Sequence, residues 1–413
     1  MKRKYASIIV VSLILLSTAI SSFATTGKEI YEQSCSRCHS AYAPEDFTKA
    51  EWPGLVRSMR NQAALSSHDE EEIIGYLTNN AQPSEIDQSG SELKWGGYLY
   101  TEYFQTKEKA KNFDLHYLAF AVSGWASDEI AYFGEFELEH GGKGDNTFVE
   151  QAYIDYWFKR NIALKIGAML VPFNRFDEFH DPLANALITR PQVSREIGVS
   201  AWKDVGVNLH GFLNLNAKNS IGFDMYGING LGAGKNLRGS RQYWDNNENI
   251  ALGGRFILVN SMGIEVGGSV YAGAWDDSSN YDVNMFGAHF MLNTDIADFY
   301  GEFSSATSQN QPDAYGAEVK DGEMSGYFVQ ISRLIEEKYR PTIRYGSLDY
   351  LDTLVNLPRE PTDKQLTELA LGFSYYPTSD VVFKIEYSIF TEGDRLRENK
   401  DNNQLGLQAA IKF

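Results

Sequence analysis

The chain has 413 residues, a formal net charge of -18 and 2 cysteines. That acidity argues against a nucleic-acid partner, and so few cysteines exclude a disulfide framework. Tyr, Phe and Gly are abundant (24, 24 and 36), and past the N-terminal stretch no run of about 18 apolar residues occurs, so an aromatic-rich all-β body is expected.

Residues 1–24 read as an export signal. Lys2, Arg3 and Lys4 form a charged start, Ile8 to Ile20 is mostly apolar, and Ser22-Phe23-Ala24 offers small residues for cleavage. A retained anchor is the competing reading, and the apolar run is short for it. Removal of the segment places the mature chain outside the cytoplasm.

Residues 25–80 read as a small helical domain. A first helix over Gly27–Gln33 offers Ile30 and Tyr31 for packing and leads into Cys35-Ser36-Arg37-Cys38-His39. This is C-x-x-C-H: two thiols at that spacing add to the two vinyl groups of one haem, and the adjacent histidine is held under the iron. A thioredoxin-like disulfide needs a βαβ context that is absent, and it gives no role to His39. After a loop through Ala43–Asp46, Trp52, Val56 and Met59 share a helical face. Ser67 with Glu70 suggests a capping box, and Ile73, Ile74 and Leu77 stripe a last helix ending near Tyr76-Leu77.

The opening G-K-E-I-Y-E-Q-S-C-S-R-C-H, the Trp–Met helix and the closing E-E-I-I-G-Y-L resemble the single-haem class I cytochromes c over about 55 residues. The resemblance implies one covalent haem c on Cys35 and Cys38, with His39 and a downstream methionine as axial ligands. Met59 is the matching methionine, and its soft thioether suits iron of high potential. Ordinary core packing is the plain alternative for Met59. His68, beside Asp69, Glu70, Glu71 and Glu72, is expected to be solvated.

Residues 81–92, AQPSEIDQSGSE, read as a linker. From residue 93 to 413 the pattern has period two. Leu405, Leu407, Ala409, Ile411 and Phe413 alternate with Gln404, Gly406, Gln408, Ala410 and Lys412; Phe383, Ile385 and Tyr387 alternate with Lys384, Glu386 and Ser388. Long strands with one apolar and one polar face predict an antiparallel transmembrane β-barrel. About sixteen strands are expected. Their starts fall near Leu93, Phe113, Asp128, Thr147, Asn161, Val205, Asn219, Glu248, Gly263, Tyr281, Ile296, Met324, Lys338, Gln365, Asp380 and Asn402. An even count closes the barrel with both ends on the periplasmic side. A soluble propeller would need a repeat period that is not visible.

Gly167-Ala168-Met169-Leu170-Val171-Pro172-Phe173, then Leu187-Ile188-Thr189-Arg190-Pro191, then Asp204 to Gly211 are similar to the phosphate-selective porins of the O and P type. The resemblance implies that the loop Asn174 to Arg195 folds into the lumen and narrows the pore. Arg175, Arg190 and Arg195 would then line a constriction and attract anions. Asp177, Glu178, Asp181 and Glu196 lie among them, so structural ion pairs are the alternative. The family's lysine positions have no match here, so phosphate specificity is not carried over.

The whole layout, a small all-α cytochrome domain before an all-β barrel, looks like the fused cytochrome–porins, some of which are proposed to oxidise ferrous iron at the cell surface. The fuller haem segment departs from that iron-oxidising group and leaves iron as substrate open. The resemblance implies an outer-membrane protein moving electrons between periplasmic cytochromes and small external redox species. The alternative is an anion-preferring solute porin whose haem domain is a redox gate or docking site. No hydrolytic constellation is present, and a His/Met haem lacks the open position peroxidase chemistry needs. Electron transfer and channel function, or at most surface metal oxidoreduction, is therefore expected rather than conventional enzyme activity.

Overall fold

The computed structural model describes residues 26–35, 42–47, 49, 52, 53, 56 and 67–81 of the N-terminal part. From residue 93 onward it describes all but 107–111, 128, 143–146, 160, 180, 217–218, 235, 261–263, 295, 313–315, 317, 319–320, 337, 351–363, 379 and 395–401. The expected signal at 1–24, Cys38, His39, Met59 and nearly all of the expected linker lie outside the described residues.

The described part of the N-terminal segment includes α1, Gly27–Cys35, a 3-10 turn at Pro44–Asp46 and α2, Ser67–Asn80. A reciprocal capping box starts α1. The Thr26 amide donates to Glu29 Oε2 (2.8 Å) and the Glu29 amide to Thr26 Oγ1 (3.4 Å), satisfying two amides that have no partner within the helix. The helix runs on to Cys35, two residues past the expected Gln33. The second helix runs past its apolar stripe, and two side chains bond back four residues within it: Thr78 Oγ1 donates to Ile74 O (2.6 Å) and Asn80 Nδ2 to Tyr76 O (2.7 Å). Ile30, Tyr31, Cys35, Phe47, Trp52, Val56, Ile73 and Leu77 make one buried cluster. The two helices approach closely at Gly27, where a Cβ would collide with the Glu72 carbonyl oxygen. Trp52 is anchored in this cluster by donating its indole N–H to Pro44 O (2.9 Å).

The rest is a closed barrel of sixteen antiparallel strands, each paired with its sequence neighbours, with β1 (Lys94–Thr106) closing on β16 (Gln404–Lys412). Between them run β2 Asn112–Ser127, β3 Ile130–Glu139, β4 Thr147–Lys159, β5 Ile162–Leu170, β6 Lys203–Asn216, β7 Asn219–Ile228 and β8 Ala251–Asn260. The second half is β9 Ile264–Ala274, β10 Asp282–Asn293, β11 Asp298–Ser308, β12 Gly322–Ser332, β13 Tyr339–Tyr350, β14 Lys364–Thr378 and β15 Val381–Asp394. Every expected strand start lies within three residues of an observed one. The terminal Phe413 exchanges two backbone hydrogen bonds with Gly97 (2.8 and 2.9 Å), which finishes the seam.

Side-chain burial is reversed relative to a soluble β-protein. On β15, Phe383, Ile385 and Tyr387 are 49, 47 and 44% exposed, while Lys384, Glu386 and Ser388 between them are at most 4% exposed. Apolar side chains cover the outside and polar ones fill the inside, as lipid contact requires. Tyr339 stacks on Tyr375 outside (5.5 Å), and Trp95 is exposed near the same rim, the placement of an interfacial aromatic girdle. No described helix is long and apolar enough to cross a membrane; the crossing is made by strands.

Connections alternate in length. Those after β2, β4, β6, β8, β10, β12 and β14 are short turns, whereas those after β5 and β7 span residues 171–202 and 229–250. Strand β1 begins and β16 ends on the short-turn side. In outer-membrane barrels that side is periplasmic.

Candidate functional site

The connection from β5 to β6 does not project outward; it folds into the lumen. Upstream of it, within β5, Gly167 has φ +135 and its Cβ would collide with the Ala152 carbonyl oxygen, so only glycine fits there. Val171, Phe173, Phe176, Val193, Ile197, Val199 and Trp202 then form a dry core with wall residues such as Tyr226, Tyr271, Met285 and Phe328. A helical turn, α3 (Gln192–Glu196), lies within this packed stretch. Across the lumen Leu183 packs with Tyr98, Tyr100, Tyr117 and Tyr376.

Two wall carboxylates hold the loop by its backbone. Glu302 of β11 accepts from the amides of Arg175 (2.8 Å) and Phe176 (2.7 Å) and from Ser194 Oγ (2.8 Å). Glu386 of β15 accepts from the amides of Ile188 (2.6 Å) and Thr189 (2.9 Å). Lys384 Nζ donates to Asn185 O (2.6 Å), and Arg344 donates to Thr189 O (2.8 Å). Charge-assisted bonds of this kind contribute about 1.5–3 kcal/mol each, so the loop is fixed to the wall along its length.

The three arginines expected at the constriction part company. Arg175 is fully buried; its Nε lies 2.7 Å from Glu265 Oε1, and its guanidinium also pairs with Glu178. It serves as a loop anchor, because its charge is consumed inside the packed loop, and it does not face a permeating solute. Arg190 donates from Nη1 to Ser200 Oγ (2.9 Å). Arg195 keeps a 47% exposed side chain, paired with Glu196 at 3.3 Å.

Two further arginines come from the connection between β7 and β8, which also tucks inward: Leu231 and Leu237 are buried in the loop core. Arg241 Nη1 donates to Ala201 O (2.6 Å), next to the residue that holds Arg190, and its Nε donates to Arg238 O (3.0 Å). Burial, then the neighbouring charges of Arg195, Arg241 and Arg190, pulls Arg238 down to about 10, which leaves it charged at neutral pH. Burial works against Arg190 as well, but Tyr117, Asp177 and Glu137 nearby raise it overall. Arg190, Arg195, Arg238 and Arg241 thus form one cationic group, partly balanced by Asp177 and Glu196. Arg238 and Arg241 were missed in the sequence because they lie in a second loop; the run Gly-Lys-Asn-Leu-Arg-Gly-Ser-Arg after β7 is the signal that marks them.

Replacing Arg175 by Met should release the loop, since Glu265 would be left buried with less compensation. Breaking one side of a buried pair costs about 3–5 kcal/mol. The expected result is a larger and noisier single-channel conductance in planar bilayers, with the barrel still folded. A conductance equal to that of the unaltered protein would show that the pair does not hold the loop.

In the N-terminal segment, Cys35 ends α1 and is buried against the apolar cluster of Tyr31, Trp52, Ile73 and Leu77. A thiol at the edge of an apolar, aromatic pocket fits a covalently bound haem face. Cys38, His39 and Met59 cannot be added to this geometry, as they lie outside the described residues.

Residues 31–111 match the Dihaem cytochrome c family model, and residues 90–413 match that of Phosphate-selective porin O and P. A protein from Aquifex aeolicus (strain VF5), called only an uncharacterized protein, is 23% identical over 361 residues, covering 78% of this chain and 80% of that one. Among solved structures, the outer membrane channel DcaP of Acinetobacter baumannii superposes with a TM-score of 0.56 at 12% identity, over 79% of this chain and 99% of that one. OmpF of Salmonella typhi, in complex with daunomycin, gives 0.57 at 11% identity, over 79% and 99%. At these identities the structural likeness establishes the fold alone. The protein is an outer-membrane β-barrel porin preceded by a haem-binding cytochrome c segment. By its match over residues 90–413, the chain belongs to the family of phosphate-selective porins O and P.

Proposed function

We propose that this protein is a cytochrome–porin that exchanges electrons between a periplasmic carrier and small redox species entering the barrel from outside. Residues 25–80 form its haem domain, residues 81–92 its linker and residues 93–413 its barrel, after removal of the signal at 1–24. The observation that supports this most is the direction of β1, which starts on the short-turn side. A segment preceding β1 is thereby delivered to the periplasmic mouth.

Cys35 and Cys38 would hold the haem c through two thioethers, each formed by adding a thiol S–H across a vinyl group, and His39 and Met59 would ligate its iron. The matched family is described as dihaem, but the 2 cysteines of this chain complete one C-x-x-C-H, so one covalent haem is assigned. When bound, that haem supplies one-electron exchange. The chain's own part is to bury one haem edge against Tyr31 and Trp52 and to keep it near the barrel mouth.

A domain of about 55 residues is about 26 Å wide and cannot span a structure roughly 40 Å thick. The external partner must therefore be small enough to enter the lumen. In proteoliposomes loaded with a reduced dye, the protein should pass electrons to external ferric citrate, and far more slowly to oxidants too large for the lumen. The arginine group favours a second reading, an anion-preferring solute porin with the haem domain as a redox gate. If the haem-free barrel passes the same current as the haem-loaded protein, carriers are diffusing through the pore and that second reading stands.

A further inference from the structure

At the long-loop end of the barrel, β1, β2 and the connection after β3 bring four ligand-type side chains to one point. Asp114 and His116 occupy alternate positions on β2, and Glu102 of β1 lies directly opposite Asp114 in the register. Glu102 is buried, so this face looks into the barrel. Strand β3 ends at Glu139, and the chain then turns back through His140 (φ 51) and Gly141 (φ 70), bringing the His140 ring to His116, 5.1 Å between centroids.

The contacts are compact. His140 Nδ1 lies 2.7 Å from Asp114 Oδ2. His116 Nδ1 lies 3.3 Å from the same oxygen and 3.0 Å from Glu102 Oε2. The ligand atoms of Asp114, His116 and His140 all fall within 4.8 Å of one another. With metal–ligand bonds of about 2.0–2.2 Å, neighbouring ligand atoms stand about 3.0 Å apart in an octahedron and about 3.4 Å apart in a tetrahedron. The 3.0 and 3.3 Å separations around His116 Nδ1 are of that order, and the 2.7 Å contact of His140 with Asp114 is a hydrogen bond that a bound ion would replace.

A hydrogen-bonded histidine pair is the simpler account of such a cluster, and one feature goes against it. His116 Nδ1 lies 3.0 Å from Glu102 Oε2 and 3.3 Å from Asp114 Oδ2, and its single N–H can serve only one of them, so the second carboxylate converges on it with no proton to share. Two ionised carboxylates converging on two imidazoles form a site of about two negative charges, which a divalent cation balances. Arg190 is the one cation among the groups that act on His116 most strongly, and its guanidinium is engaged with Ser200.

We propose that Asp114, His116 and His140, with Glu102 as a fourth ligand, bind one divalent first-row transition-metal ion at the outer mouth of the barrel. Two imidazoles select such ions over calcium and magnesium, which take all-oxygen sites. The site is independent of the haem, so it does not rest on the electron-transfer reading. Its structural effect is to fasten the connection after β3 onto β1 and β2.

The test uses the haem-loaded, tag-free, full-length protein in detergent, titrated calorimetrically with Zn²⁺, which is redox-inert. One zinc per chain is expected at this site. His140→Ala, on an exposed loop position that the barrel does not need, should weaken binding by about 100-fold or more, and His116→Ala with His140→Ala should abolish it. Heat-modified gel migration checks that each variant keeps its barrel. Cobalt K-edge absorption of the Co²⁺-loaded protein, which the haem does not obscure, should show scattering from two imidazoles. Absence of zinc binding, unchanged binding in the folded double variant, or cobalt scattering without imidazole would each overturn the assignment.

Discussion

Replacing Cys35 and Cys38 together by Ala should remove all covalently held haem. Mass spectrometry of the denatured, exported wild-type protein should show the polypeptide plus one haem, and the double variant should show the polypeptide alone. The effect is all-or-none because each thioether uses one of the 2 cysteines in the chain. Two added haems, or covalent haem in the variant, would refute the assignment. The variant should also lose electron flow to external ferric citrate while keeping its ion conductance, since the barrel core and the haem-segment cluster share no residue. Met59→Ala should behave differently. The added mass should remain while the sulfur-to-iron charge-transfer band disappears; a surviving band would take Met59 out of the site.

The second large effect belongs to the arginines. The unaltered channel should prefer anions, and replacing Arg190, Arg195, Arg238 and Arg241 by Gln should bring its permeability ratio to unity or below. After Asp177 and Glu196 are counted, about two positive charges remain. At ~8 Å and an effective dielectric of about 40, each is worth about 1 kcal/mol to a permeating anion. The substitution removes four positive charges and leaves the two carboxylates, so after screening over a Debye length of about 8 Å the loss is roughly 1.5 kcal/mol, a change in selectivity of about tenfold. Reversal potentials in a salt gradient measure this directly, and the difference should shrink at 1 M salt, where screening is nearly complete. A ratio that does not move would mean that permeating ions do not pass the cluster.

Local pattern carried much of this protein. Strand periodicity is a one-dimensional signal: Phe383, Lys384, Ile385 and Glu386 alternate because lipid lies on one side of the sheet and water or protein on the other. The sixteen strands were therefore legible from residue order, whereas the in-folding of the loop after Val171-Pro172-Phe173 was implied only by the resemblance to the O and P porins. The C-x-x-C-H motif is likewise a contiguous chemical unit, so the haem assignment needed no fold. The α1 capping box of Thr26 and Glu29 is equally local.

What residue order could not carry was which charges meet. Arg175 and Arg190 look alike in sequence, yet one is neutralised by Glu265, ninety residues away, and the other stands among Arg195, Arg238 and Arg241. Glu102, Asp114, His116 and His140 come together because antiparallel pairing of β1, β2 and β3 aligns distant positions at one rim. Charge pairing depends on distance through space, and closing the sheet into a barrel sets those distances. A strand's faces follow from its own residues, whereas the partner of a buried charge follows from closure.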